Sequence, residues 1–273
     1  MCLTVLGATL RNDYCCSLDC QSDETYRMTN FSHNRPAAPA QVRTQTRTPC
    51  DCDWEQMVER FLEMLVGHDS VGASALVLDA VSNGMPITDV YIKLIQPTMY
   101  RIGELWRCGS LDVAHEYYAT ALVESILTRL EPRIFQGHTG GTAMIAAAVE
   151  GEMHAIGARM VADFFEMDGW ETCYLGANVP GSLIVAESIR RKAKLIALSA
   201  NGRAVMPAVI RTVAAIQETE ALEGALILVG GGLFNAWPNA VDASGADGYA
   251  RDAPRAVEVA RLLLGSRVNE RVR

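Results

Sequence analysis

The sequence predicts an α/β protein, in which a small N-terminal helical bundle precedes a five-stranded parallel sheet covered by helices on both faces. Three observations predict it. Between residues 53 and 131, apolar positions recur at three- and four-residue spacing in four stretches joined by short polar turns. From 142 to 264, short apolar runs alternate with helical stretches, the rhythm of a parallel sheet wound by helices. The chain has 273 residues, 49% hydrophobic and 21% charged, long enough for real cores and too apolar for wholesale disorder.

Residues 1–52 hold Pro36, Pro39 and Pro49, many polar side chains and no sustained period, so the sequence reads as a flexible leader. Met28 inside it is a candidate second start. Six of the eight cysteines crowd into this leader, and Cys15, Cys16, Cys20, Cys50 and Cys52 lack the paired C-x-x-C spacing of a zinc site, which favours free thiols over a metal. Asp53 is placed to cap a first helix with Met57, Phe61, Leu62, Met64 and Leu65 largely on one face. A second helix follows Asp69-Ser70 and stops at Asn83-Gly84. The third runs from Pro86 to Leu105-Trp106 with Pro97 expected to bend or break it, and Leu111 to Leu130 supplies the fourth.

Pro132 to Gly141 reads as a linker. Strands are expected at 143–149, 171–175, 195–199, 225–229 and 245–250, and helices at 156–167, 182–192, 205–217 and 254–264. Five such strands take the flavodoxin-like order 2-1-3-4-5, which puts a ligand crevice at the carboxyl ends of strands 1 and 3.

The formal net charge is -8, so the chain as a whole lacks the basic footprint that attracts a phosphate backbone or an anionic membrane. No run of 18 apolar residues and no basic-then-apolar leader is present, and the expectation is a cytoplasmic protein with no membrane partner and no strong direct nucleic-acid binding.

The predicted topology tells which loops to read. After strand 1 stands Glu150-Gly151-Glu152-Met153-His154-Ala155-Ile156-Gly157, a histidine with a carboxylate two residues before and a glycine three after. That pattern suits an axial metal ligand whose other ring nitrogen is held by the acid, although a lone loop histidine is ordinarily just a polar residue. Ser199-Ala200-Asn201-Gly202 follows strand 3, and Gly230-Gly231-Gly232 follows strand 4, where missing side chains let a bulky group approach the backbone.

On these residues, 142–264 resembles the cobalamin-binding domain, a Rossmann-like fold whose Asp-x-His-x-x-Gly signature stands here with Glu152 for Asp, then His154 and Gly157. The resemblance implies cobalamin, in its hydroxo or adenosyl form, with His154 as the lower axial ligand of cobalt. It also implies cofactor contacts from Glu152, Met153, Ile156 and Gly157, from Ser199, Asn201, Gly230, Gly231 and Gly232 around the nucleotide tail, and from Tyr249. The upstream bundle resembles that of CarH-type cobalamin photoreceptors, in which Trp, nine residues and Glu-His cap the upper face of the corrin. Here Trp106 is followed by nine residues and Glu116-Tyr117, so these three residues are implied over the upper face. Arg107 replaces the photoreceptor's second cobalt-ligating histidine, and His115 is its nearest candidate substitute.

Methyl-carrying corrinoid proteins share both domains, so fold does not separate carrier from sensor. The Trp106-to-Glu116 spacing favours the sensor, and an acidic chain whose leader has no winged-helix pattern, together with Glu152 in the motif and the length of that leader, resembles the AerR/PpaA antirepressors of purple photosynthetic bacteria. That resemblance implies a light-responsive transcriptional regulator of photosynthesis genes, not an enzyme, acting through a CrtJ/PpsR-type repressor. The alternative is a corrinoid carrier of a methyltransferase system. Haem on His154 is a further reading that the glycine loops disfavour.

Overall fold

The computed structural model describes residues 53–134 and 141–271, and the leader, with its cysteines and Met28, lies outside the described residues. The α/β architecture is as the sequence predicts. Helices α1 (Trp54–Val66) and α2 (Ser70–Ser82) begin on aspartates that cap them, Asp53 accepting from the Gln56 amide at 3.1 Å and Asp69 from that of Gly72 at 2.8 Å. The third helical run does not break at Pro97. Helix α3 (Ile87–Val90) continues through a π-helical turn at Tyr91–Ile95 into α4 (Gln96–Arg107). Proline has no amide hydrogen for the i−4 carbonyl, and the wider turn keeps the Gln96 amide bonded to the Tyr91 carbonyl just before it. Helix α5 (Val113–Ile134) runs on through Pro132, so the expected linker is helical at its start.

Beyond it, β1 (Ala143–Ala148), β2 (Glu171–Tyr174), β3 (Leu195–Ser199), β4 (Leu226–Gly230) and β5 (Gly248–Ala250) form one parallel sheet in the order β2-β1-β3-β4-β5. The register pairs Ala148 with Ser199, Ser199 with Gly230, and Gly230 with Ala250, which brings the carboxyl ends of four strands level. Helices α6 (Ile156–Met167) and α11 (Ala253–Arg271) cover one face, and α7 (Gly181–Arg191) and α8 (Met206–Gln217) the other. Two short helices, α9 (Gly232–Ala236) and α10 (Asn239–Ser244), fall below the length at which periodicity is readable. The last strand starts at Gly248 because residues 239–245 close α10 on Gly245, whose φ of +73° suits glycine.

Side chains alternate along each strand. Ile145 and Ile196 go to the core under α7 and α8, while Met144 and Leu195 join a core that continues into the bundle through Phe165, Tyr91, Leu94 and Ile126. The bundle is thus docked on α6, and at the middle of that seam lies a polar cluster. The Tyr91 hydroxyl donates to Asp163 Oδ2 (2.8 Å), while Arg159 Nε donates to Asp163 Oδ1 (2.9 Å) and its Nη2 to Glu131 Oε2 (3.1 Å). Among the described residues, no helix is long and apolar enough to cross a membrane.

Candidate functional site

Four loops at the carboxyl edge of the sheet are knitted together by hydrogen bonds. In the β1 loop, Glu152 Oε1 accepts from the His154 backbone amide (2.8 Å) and from His154 Nδ1 (2.6 Å), while Oε2 accepts from the Asn201 amide of the β3 loop (2.7 Å). Asn201 Oδ1 in turn accepts from the Gly232 amide after β4 (2.8 Å). Asn178, after β2 and with φ +53°, donates its backbone amide to the Glu152 carbonyl and accepts from Gly151 through Oδ1, both at 2.7 Å. Glu152, where the common signature has Asp, thus ties the β1 loop to the β3 loop through one carboxylate.

An ionised carboxylate only accepts, so the proton between Glu152 and His154 sits on Nδ1, and in the neutral imidazole the lone pair is on Nε2 at the other side of the ring. Burial alone would raise the Glu152 carboxyl, whose side chain is 4% exposed, but the bonds from His154 and the Asn201 amide outweigh it and hold the group below its ordinary range. The same bond raises the His154 imidazole against the opposing effect of burial, with Glu116 adding a smaller push in the same direction. The His154 side chain itself is 64% exposed, so it faces open space while its partner is enclosed.

That space is a cavity of about 360 Å³ between the bundle and the sheet edge. Of the residues singled out from sequence, His154, Ile156, Gly157, Ser199, Asn201 and Gly230 to Gly232 line it from below, and Trp106 and Glu116 line it from the bundle. Glu152 stands behind the wall, holding His154. Three others are not brought to it. Tyr117 lies one step round α5 from Glu116 and is 68% exposed, and Met153 points outward at 65% exposure because its neighbours Glu152 and His154 take the inward directions. Tyr249 is not itself on the wall; its hydroxyl donates to Oδ1 of the lining residue Asn235 at 2.7 Å. His115 is also elsewhere: its Nδ1 pairs with Asp112 at 2.7 Å and its ring stacks on His68 at 5.1 Å.

Sequence reading missed Gln96, Tyr100, Asn235, Arg251 and Asp252, polar residues on the cavity wall, and two further groups. Met99, Gly103 and Thr120 line the cavity from the bundle, and Ala146, Ala197 and Ala250 carry it inward along the sheet as an apolar slot. Alanines in strands and a methionine in a helix carry no chemical signal of their own, and only the alignment of strand ends by the register brings them together.

The residues present fit a corrinoid. The histidine offers one free nitrogen to the cavity, and Gly157 lines it at a point where a Cβ would meet nothing within 4 Å, so a side chain there would fill the cradle. At Gly231 a Cβ would instead stand 2.4 Å from the Ala200 carbonyl oxygen, and φ is +99°, so the close passage of the β3 and β4 loops requires glycine.

Comparison with known proteins agrees. Residues 142–258 match the family model described as B12 binding domain, and residues 57–131 match a second model of the same description. The chain therefore carries B12-binding domains, and its cofactor is cobalamin. It is 23% identical over 215 residues to monomethylamine corrinoid protein 1 of Methanosarcina mazei, covering 76% of this chain and 96% of that one. It is 26% identical over 215 residues to trimethylamine corrinoid protein 1 of Methanosarcina acetivorans, covering 77% and 98%. The structure of the Methanosarcina barkeri monomethylamine corrinoid protein matches with a TM-score of 0.65 at 20% identity, over 76% of this chain and 97% of that one, which shows a common fold.

These relatives are corrinoid proteins named for methylamines, and that finding corrects three expectations: the light-responsive antirepressor, its control of photosynthesis genes, and the CrtJ/PpsR-type repressor as partner. The Trp106-to-Glu116 spacing that carried them puts both residues on the cavity wall, a placement that does not distinguish a sensor from a carrier.

Proposed function

We propose, from the premise that this chain carries B12-binding domains, that it is a corrinoid carrier of a methyl-transfer system. The observation that carries the reading is the single imidazole on the cavity wall, its Nδ1 held by Glu152 and its Nε2 left free, in a chain related along most of its length to methylamine corrinoid proteins. When bound, cobalamin supplies a cobalt centre that accepts a methyl group and surrenders it.

The chain's own residues bind and orient. His154 would hold the cobalt through Nε2, with Glu152 fixing its tautomer and ring plane through Nδ1. Ser199, Asn201 and Gly230 to Gly232 border the slot for the nucleotide tail, whose apolar end is made by Ala146, Ala197 and Ala250. Trp106 and Glu116, which line the cavity from the bundle, would face the upper side of the bound corrinoid. The transfer steps belong to partner methyltransferases, and this protein is not itself an enzyme.

The test uses the full chain loaded with hydroxocobalamin, reduced, and mixed with carbon-14-labelled monomethylamine or trimethylamine with and without the matching methylamine methyltransferase. Label is expected on the protein only when the methyltransferase is present. A fully loaded protein that takes no label from either donor overturns the carrier reading. Separately, His154→Ala is expected to fold normally and to lose the histidine nitrogen splitting from the EPR spectrum of the one-electron-reduced, Co(II) protein, and an unchanged spectrum overturns the ligand assignment.

A further inference from the structure

We propose that Gly103 is a specificity-determining residue, whose missing side chain leaves a notch in the bundle wall that sets how large an upper-face group the bound corrinoid can carry. The inference rests on the reading above, in which that wall lies over the upper face. Along α4, Gln96, Met99, Tyr100, Gly103, Trp106 and Arg107 fall on one side of the helix and line the cavity, with Ile102 beside them. Gly103 is the one residue of this stripe without a side chain, and it leaves a gap in the middle.

No local demand of the backbone explains a glycine at this point. Gly103 is interior to α4, where glycine is the least favourable residue after proline, and it is not among the glycines with positive φ. Nor does close packing require it: a Cβ built there meets nothing within 4 Å, whereas at Gly181 it would come within 2.7 Å of Thr212 Oγ1 and at Gly141 within 2.3 Å of a backbone oxygen. Those two glycines make room for the protein itself. Gly103 makes room in the cavity. Thr120 and Glu116, joined by a hydrogen bond of 3.2 Å from the threonine hydroxyl, form the polar wall on α5 beside it. The notch therefore admits an upper group larger than methyl, and a branched side chain at position 103 closes it.

The experiment measures the affinity of the full chain for hydroxocobalamin and for adenosylcobalamin in the dark, with Gly103→Ala and Gly103→Leu alongside the wild type. Both substitutions raise helix propensity, so the variants are expected to fold, and circular dichroism melting checks that they do. The wild type and Gly103→Ala should bind the two cobalamins with affinities within about threefold of each other. Gly103→Leu should keep hydroxocobalamin and weaken adenosylcobalamin by about tenfold or more, as overfilling a tight site does. Equal loss of both cobalamins in Gly103→Leu, loss of neither, or a wild type that already rejects adenosylcobalamin by tenfold overturns the notch. Wild-type protein that binds neither cobalamin overturns the reading beneath it as well.

Discussion

Glu152 is one buried carboxylate answering three donors. Oε1 serves the amide and the ring of His154, and Oε2 serves the amide of Asn201. Glutamine has nearly the same shape but one oxygen, so its NH2 group would face either the His154 pair or the Asn201 amide, donor against donor. Glu152→Gln is therefore expected to destabilise the apoprotein by about 1–3 kcal/mol, the usual cost of leaving a buried donor unpaired. Urea unfolding of apoprotein checks it, and a change within error would show that these loops do not depend on the carboxylate. Half of this arrangement was legible in the sequence. The acid and the histidine are two residues apart, so their pairing follows from local geometry, and the glycine after them marks the start of a helix. The bond to Asn201 spans 49 residues and depends on the β1–β3 register, which no local pattern encodes. Met153 and Tyr117 are adjacent in sequence to His154 and Glu116 but stand exposed and off the cavity wall, a placement that sequence adjacency alone does not decide.

At the scale of elements, the junction between the bundle and α6 carries the least expected chemistry. Asp163, buried among apolar neighbours, accepts from Tyr91 of the π-helical turn and from Arg159, which also reaches Glu131 on α5. Removing the tyrosine hydroxyl with Tyr91→Phe leaves the ring in place and should cost about 1.5–3 kcal/mol, since the lost bond is to a charged acceptor. The pH dependence has a definite sign. Burial raises the Asp163 carboxyl and outweighs the lowering by Arg159 and the Tyr91 bond. A carboxyl whose pKa is higher in the folded than in the unfolded chain contributes stability that is complete below the unfolded value, about 3.9, and is lost as pH rises through the folded value. Asp163→Asn abolishes that titration but also breaks a buried pair, so it should be the less stable protein, by a margin that narrows as pH rises above about 4. Denaturant unfolding at several pH values decides it, and a constant margin would mean that Asp163 titrates alike in both states. Sequence reading placed the long helices here to within a few residues, because their apolar stripes and aspartate caps are local signals. It missed the π-helical turn because a proline in a helix predicts a defect without saying which way the chain relieves it.

For the molecule as a whole, the strand order was readable because alternating strands and helices leave few unknotted right-handed windings. The docking of the bundle was not, since it depends on Phe61, Leu65 and Ile126 sharing a core with Met144 and Phe165 across the domain boundary. That shared core joins the two B12-binding segments, and a cavity walled by Trp106 and Glu116 on one side and His154, Ser199 and Gly230 on the other lies between them. A ligand that binds only the folded form adds RT ln(1 + [L]/Kd), about 2.7 kcal/mol at a hundredfold excess over Kd. If both walls grip the corrinoid, that increment applies to every opening that separates them. Amides of α1 and α2, which do not line the cavity, should then be slowed by about the same factor, near a hundredfold, as those of β3 and β4, wherever exchange proceeds through global opening. Hydrogen exchange of the full chain with and without hydroxocobalamin measures both sets at once. Protection confined to the strands would mean that the sheet edge alone holds the cofactor and that the bundle rests on it without sharing in the binding.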